Sequence, residues 1–307
     1  MPRVAFLGPP GTFTEEALLT EADLAGAEHV PMRSMTEVLD ATTAGEVDLG
    51  FVALENSIEG TVRMVLDHLI FDTDLLIQRE VELRINQNLL APVGMALAEV
   101  KRVVSFPDAM EQCREFFARE LPQAELVAAN STAEAVRMVG EDRPPGTAAL
   151  GAALAGRLYG LEVIASGVED RPDNSTRFVL TARDGIPAPT GHDKTSVVLF
   201  QRSDRPGNLH LISAQFAARE INLTKFESRP TKKGLGDYCF IVDFQGHIAD
   251  AVVADCLRNL HAELGEVKFL GSYPAAGELG PSIRRDVVAA WEAADRWIGD
   301  LRNQIAD

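Results

Sequence analysis

The rhythm of short apolar runs is what most limits the folds open to this chain. Through the first 180 residues, strand-like runs at 3–7, 49–54, 100–105, 125–129 and 162–165 alternate with segments of helical period. The helical segments are 15–25, 35–44, 62–69, 109–120, 132–139 and 148–159. Two of them begin on capping boxes, Ser34 with Glu37 and Ser131 with Glu134. Strands that alternate with helices need crossover connections, so the pattern predicts an α/β fold with mainly parallel strands. Residues 184–193, DGIPAPTGHD, hold two prolines and two glycines without periodicity and predict a linker. Beyond it the rhythm becomes strand 196–201, helix 208–219, strands 223–227 and 238–244, helix 249–260 and strand 267–270. That order, βαββαβ, predicts a ferredoxin-like unit. Val287, Trp291, Ala294, Ile298, Leu301 and Ile305 then form one apolar stripe on a closing helix, expected to dock on the chain's own body or on a second subunit.

Composition narrows the function classes. A net charge of −17 over 307 residues opposes binding to nucleic acid or to an anionic membrane surface, so neither partner is expected. The N-terminus, MPRVAFLG, has no basic stretch leading into a long apolar one, and no later run reaches about 18 apolar residues, which predicts a cytoplasmic protein. Cys113, Cys239 and Cys256 are too widely spaced for a zinc motif or a disulfide framework and are expected as reduced core residues. The six histidines are scattered, and H-E-x-x-H, C-x-x-C and Gly-x-Ser-x-Gly are all missing. Neither a metal nor an organic cofactor is expected.

Three polar clusters fall where an α/β fold places ligands, at the carboxyl ends of strands. The first, Thr12-Phe13-Thr14, follows Gly8-Pro9-Pro10-Gly11, which imitates a phosphate loop but lacks its Gly-Lys pair. The others are Glu55-Asn56-Ser57-Ile58-Glu59-Gly60 and Asn174-Ser175-Thr176-Arg177-Phe178. Each has a plain structural alternative: Thr12 or Thr14 as a helix cap, Asn56 and Ser57 as turn formers, Arg177 as the partner of a carboxylate. Taken together they offer hydroxyls, amides, helix N-termini and one arginine fork, without a strong general base. That inventory suits a small polycarboxylate.

In this order the three clusters resemble the signatures of prephenate dehydratase. Past the linker, Gly207-Asn208-Leu209, the run from Ile221 that ends in Glu227-Ser228-Arg229-Pro230, and Leu270-Gly271-Ser272-Tyr273-Pro274 resemble that family's phenylalanine-sensing ACT domain. The resemblance implies a two-lobed catalytic domain over 1–183, similar to type II periplasmic-binding proteins, with lobes at about 1–75 plus 165–183 and at 76–164. A linker at 184–193, an ACT regulatory domain at 194–275 and a C-terminal helix within 276–307 would follow. It implies decarboxylating dehydration of prephenate to phenylpyruvate, inhibition by L-phenylalanine, and a homodimer or homotetramer. By the same resemblance Thr176 is the donor to the leaving hydroxyl and Arg177 clamps a carboxylate. Thr12, Asn56 and Ser57 bond the second carboxylate or the carbonyl, with Asn174 in the same signature, and Phe13 and Phe178 wall the ring. Gly207, Asn208, Leu209, Glu227, Ser228, Arg229 and Pro230 would hold the effector.

Three positions depart from the family pattern: Pro10 where a glutamate is common, Ser105-Phe106-Pro107 where a histidine is, and Asn208 where a small alanine is. Two alternatives stay open. One is the same chemistry on arogenate, and the other is a non-catalytic receptor for a small acid carrying an ACT sensor. Thr176-Arg177-Phe178 argues against the receptor, which has no use for a polarised hydroxyl, whereas the sequence does not separate prephenate from arogenate.

Overall fold

The alternation read from the sequence builds two sheets in the first part of the chain and a third in the last. A computed structural model describes residues 1–201, 206–234, 236–277 and 283–304, the side chains of 283–289 excepted. It divides into two compact units, Met1–Thr73 with Val81–Thr181, and Asp74–Glu80 with Ala182–Asp307.

The first unit has two lobes. The first lobe opens with β1 (Arg3–Leu7), α1 (Phe13–Thr20), β2 (Glu28–Met32) and α2 (Met35–Ala44). It continues through β3 (Leu49–Asn56), β4 (Gly60–Thr61), α3 (Arg63–Phe71) and β5 (Leu76–Arg84). The chain crosses into the second lobe as β6 (Asn88–Pro92), followed by β7 (Arg102–Ser105), α4 (Pro107–Glu111), α5 (Arg114–Glu120) and β8 (Glu125–Ala128). Then come α6 (Thr132–Asp142), β9 (Thr147–Gly151), α7 (Ala153–Tyr159) and β10 (Leu161–Ser166), and β11 (Ser175–Ala182) returns to the first lobe. The crossings run side by side, with the Ile85 amide on Asn174 O at 2.8 Å and the Val168 amide on Gln87 O at 3.0 Å.

The strand order is β2-β1-β3-β11-β5 in the first lobe, with β4 on β3, and β10-β6-β9-β7-β8 in the second. β1 pairs in parallel with β2 and β3, and β7 with β8 and β9. β11 on β3, and β6 on β9 and β10, are antiparallel. The expectation of mainly parallel strands is thus corrected to two mixed sheets, because the strands next to the crossings meet their neighbours head to tail. The helix expected over 148–159 is also corrected, since its first third is β9. Ala148, Ala149 and Leu150 are fully buried between β6 and β7, so this central strand shows an unbroken apolar run in place of alternation.

In the second unit β12 (Asp193–Phe200), α8 (Asn208–Ala217), β13 (Leu223–Pro230), β14 (Tyr238–Gln245), α9 (Ala251–Leu264) and β15 (Glu266–Pro274) follow the βαββαβ order. They form an antiparallel sheet β13-β14-β12-β15. Ile212, Phe216, Val253 and Leu260 of its two helices pack with Val197, Val242 and Phe244 of the sheet into one core. The segment Asp74–Glu80 belongs here: Glu80 Oε1 accepts from Lys194 Nζ at 2.7 Å and from the Ala276 amide at 2.8 Å. Gly271, at φ +143°, has no room for a Cβ, which would stand 2.5 Å from Ile77 O. On α10 (Ile283–Arg302) Trp291 packs against this core, whereas Ile298 and Leu301 stay exposed. Of the stripe, Ile305 and the Val287 side chain lie outside the described residues.

All three cysteines are buried. Burial pushes the Cys256 thiol up to about 12, and burial, with Asp170 and Glu169 adding to it, raises Cys113 further, so both stay protonated. Among the described residues no helix is long and apolar enough to cross a membrane.

Candidate functional site

Two antiparallel strands build the centre of the site. β3 and β11 pair with Thr176 opposite Asn56 and Arg177 opposite Glu55, so two of the three polar clusters share adjacent rungs. The surroundings decide how the Asn56 side chain is turned. Its Oδ1 accepts from the backbone amides of Ile58 and Glu59 at 2.9 and 3.0 Å, and a backbone N–H can only donate. Its Nδ2 therefore faces the other way, donating to Asn174 Oδ1 at 2.8 Å, Thr176 Oγ1 at 2.9 Å and Ser175 O at 3.2 Å. Ser57 Oγ donates to Asn174 Oδ1 at 3.3 Å and accepts from the Ser175 amide at 3.0 Å. Asn174 and Thr176 are only 2% and 8% exposed, so water competes little for these bonds. The Thr176 oxygen is an acceptor here, and its own proton has no partner among the described residues.

Gln112, which the sequence reading passed over, completes the network. It follows α4 in the second lobe, where its Oε1 accepts from Asn174 Nδ2 at 3.3 Å and its Nε2 reaches Glu59 Oε1 at 3.5 Å. One side chain thus joins both lobes at the polar cluster. Nothing in the local sequence marks a lone glutamine at a helix end. The only available signal was an amide side chain shortly after Ser105-Phe106-Pro107, inside the helix expected over 109–120.

Loop 8–12 carries the remaining cluster. Thr12 caps α1, its Oγ1 accepting from the Glu15 amide at 3.2 Å and donating to Leu7 O at 3.0 Å. Glu15 answers by accepting from the Gly11 amide at 2.5 Å, and the Gly8 amide goes to Met32 O at 2.9 Å. The Thr12 proton is thus spent on the fold, which corrects its expected role as a side-chain donor to a ligand. What this end of α1 offers instead are its first helical amides, Phe13 and Thr14, which have no intrahelical acceptor. Phe13 is half-buried at the helix start. Behind α1, burial raises the Glu16 carboxyl above the usual range, with Arg157 of α7 pulling it partly back.

The expectation for Phe178 also changes. Phe178 is 1% exposed and its ring stacks on Phe51 with centroids 5.5 Å apart, in a core shared with Val4 and Leu18. It walls no cleft, because its ring is packed inside that core. Arg177 Nη1 lies 3.5 Å from Glu55 Oε2. A cavity of about 530 Å³ borders loop 8–12, lined by Gly8, Pro9, Pro10, Arg33, Asn130 and Arg137 but not by Asn56 or Thr176.

In the second unit Gly207, at φ +92°, starts α8, Asn208 Nδ2 donates to Gln201 Oε1 at 2.6 Å, and Leu209 is exposed. Glu227, Ser228, Arg229 and Pro230 close β13, where Glu227 sits 3.5 Å from Lys225 Nζ and Arg229 stands opposite Cys239. Phe200 flanks Cys239 from the other side, and Ser228 and Gln201 both line a cavity of about 420 Å³ with Tyr238 and Phe240.

A family profile described as prephenate dehydratase matches residues 4–185. The chain belongs to the prephenate dehydratase family. The prephenate dehydratase of Mycolicibacterium vanbaalenii is 43% identical over 306 residues, covering 95% of this chain and 97% of that one. A solved prephenate dehydratase from Arthrobacter aurescens, in complex with L-Phe, superimposes with a TM-score of 0.88 at 39% identity over 98% of this chain and 99% of that one. A structure described as a novel type of quorum-quenching acylase, GqqA, also matches, with a TM-score of 0.79 at 28% identity over 89% of this chain and 98% of that one. Prephenate dehydratases are lyases that remove water and carbon dioxide. The network of β3, β11 and Gln112 lies within the stretch that the family profile covers.

Proposed function

We propose that this chain converts prephenate to phenylpyruvate with Thr176 as the hydrogen-bond donor to the leaving hydroxyl. The observation that carries this reading is the bond from Asn56 Nδ2 to Thr176 Oγ1, at 2.9 Å. A hydroxyl whose oxygen already accepts a bond is a better donor, since hydrogen bonds in a chain polarise one another. In the reaction the ring carboxylate leaves as carbon dioxide, and its bonding electrons enter the ring as it becomes aromatic. The C–O bond breaks at the same time, its pair departs with the hydroxyl, and a proton completes the water. Hydroxide is a poor leaving group, so a donor at that oxygen has the most to contribute.

Asn174, Ser57 and Gln112 hold Asn56 and Thr176 in place, while the Phe13 and Thr14 amides receive a substrate carboxylate. Arg177 supplies the positive charge that a dianion calls for. Absorbance of phenylpyruvate appearing when the pure protein meets prephenate tests the reading, and a matched run with arogenate tests the amine-bearing alternative. No turnover of either would leave the receptor. The acylase shares the fold at 28% identity, and the higher identity over nearly the full length rests with dehydratases.

For the second unit we propose an ACT regulatory domain, residues 194–275, that binds L-phenylalanine and pairs between subunits in a cytoplasmic homodimer or homotetramer. The Arthrobacter relative was solved with L-Phe. The shared cavity beside Ser228 and Gln201 supports a small-molecule site at that end of the sheet.

A further inference from the structure

Tyr159 ends α7 in the second lobe, and its hydroxyl donates to the carbonyl of Pro10 in the first lobe at 2.9 Å. Its base is held tightly: a Cβ on Gly140 of α6 would stand 2.6 Å from Tyr159 O and 2.8 Å from Tyr159 Cβ. On the same seam Gly11, at φ +94°, meets α7 so closely that a Cβ there would lie 2.9 Å from Ala155 Cα. Pro9 and Pro10 have no amide to anchor their own segment. The amides of Gly8 and Gly11 and the Thr12 hydroxyl are all engaged inside the first lobe. The Pro10 carbonyl is thus the point at which a donor from the other lobe grips the loop.

We propose that Tyr159 is a positioning residue for the reaction: anchored on α6, its hydroxyl fixes Pro10 and thereby sets where the Phe13 and Thr14 amides stand against a substrate carboxylate. The charges around the phenol do not compete for this task. Arg137 bonds Glu141 at 2.8 Å, and Glu15 serves the Gly11 amide. Burial raises the phenol above its usual range, so it remains a donor through neutral pH. The inference rests on the reading that this loop receives the substrate.

Tyr159→Phe removes one oxygen and keeps the ring, so the chain is expected to fold. A lost neutral hydrogen bond is typically worth about a fivefold change in an equilibrium, so KM for prephenate is expected to rise about fivefold. A positioning role leaves kcat within about twofold, since the donor at Thr176 is untouched. Hydrogen exchange followed by mass spectrometry supplies a readout independent of turnover. The peptide over residues 9–18 should exchange several-fold faster than in wild type, and the peptide over 62–71 should not change. Unchanged exchange over 9–18 overturns the proposal whatever the activity, and so does an unaltered KM in a protein whose loop has loosened. If wild type itself fails to turn over prephenate, the proposed function falls, and the exchange comparison still decides whether Tyr159 positions the loop.

Discussion

Asn56 shows how one side chain can carry several structural duties. Its carbonyl oxygen closes a turn on two backbone amides, and its two N–H groups are shared among Asn174, Ser175 and Thr176. Such a residue acts by holding another group in a given state. The group it holds is Thr176, and the expected consequence is specific. Thr176→Val keeps the shape, removes the hydroxyl and leaves the Asn56 amide short of one acceptor. Loss of a positioned donor typically lowers turnover by about 10² to 10⁴. Steady-state kinetics with prephenate should show that fall in kcat with KM within a few-fold, and turnover within threefold of wild type would take Thr176 out of the mechanism. Thr12 is the contrasting case. Its hydroxyl was legible as a cap or as a ligand donor, and the bond to Leu7 O decides for the cap.

At the scale of elements, the strands with alternating or strongly β-branched runs and the helices with capping boxes were legible, as at α2 and α6, where Ser34 and Ser131 each accept from the amide three residues on. Local rules failed where tertiary context decided. β9 has no alternation because both of its faces are buried, and its alanines read equally well as helix. Phe178 follows Thr176 by two residues, and what takes its ring away from a ligand is tertiary packing against Phe51, Val4 and Leu18, which no local sequence rule marks. Gln112 was invisible because its importance comes from the approach of the other lobe. That approach bears on α1 as well. Glu16 of α1 feels desolvation first and Arg157 of α7 second, and the net effect raises its carboxyl. A carboxyl raised in the fold ionises less readily there than in the unfolded chain. Its destabilising effect is therefore small below the ordinary carboxylate range and grows as the pH climbs through the folded value. Glu16→Gln should give a higher Tm than wild type at about pH 7.5, with the gap closing by about pH 4. A lower Tm at neutral pH would mean that Arg157 outweighs burial.

For the whole molecule the question is whether the second unit regulates the first. Millimolar L-phenylalanine is expected to lower the initial rate of the full chain, through a coupling that in comparable systems is worth about 1–3 kcal/mol. Ser228→Leu, which puts a branched side chain into the cavity shared with Gln201 and Tyr238, should raise the phenylalanine concentration needed by about tenfold and leave the basal rate within twofold. An unchanged response would remove that cavity from the effector site. Full-length variants are the right material because of where the chain divides. β5 (Leu76–Arg84) begins among the residues of the second unit and ends among those of the first, with Glu80 on Lys194 at one side of the boundary and Val81 in the catalytic core at the other. In genetic terms the two halves are not cassettes. A recombination event at residue 182 that imported a foreign second unit would leave Asp74–Glu80 behind, with a buried carboxylate deprived of its lysine and Ile77 deprived of the glycine that fits against it. Successful shuffling of such units would have to exchange a few residues near position 80 along with the tail, so the two parts are expected to be inherited together.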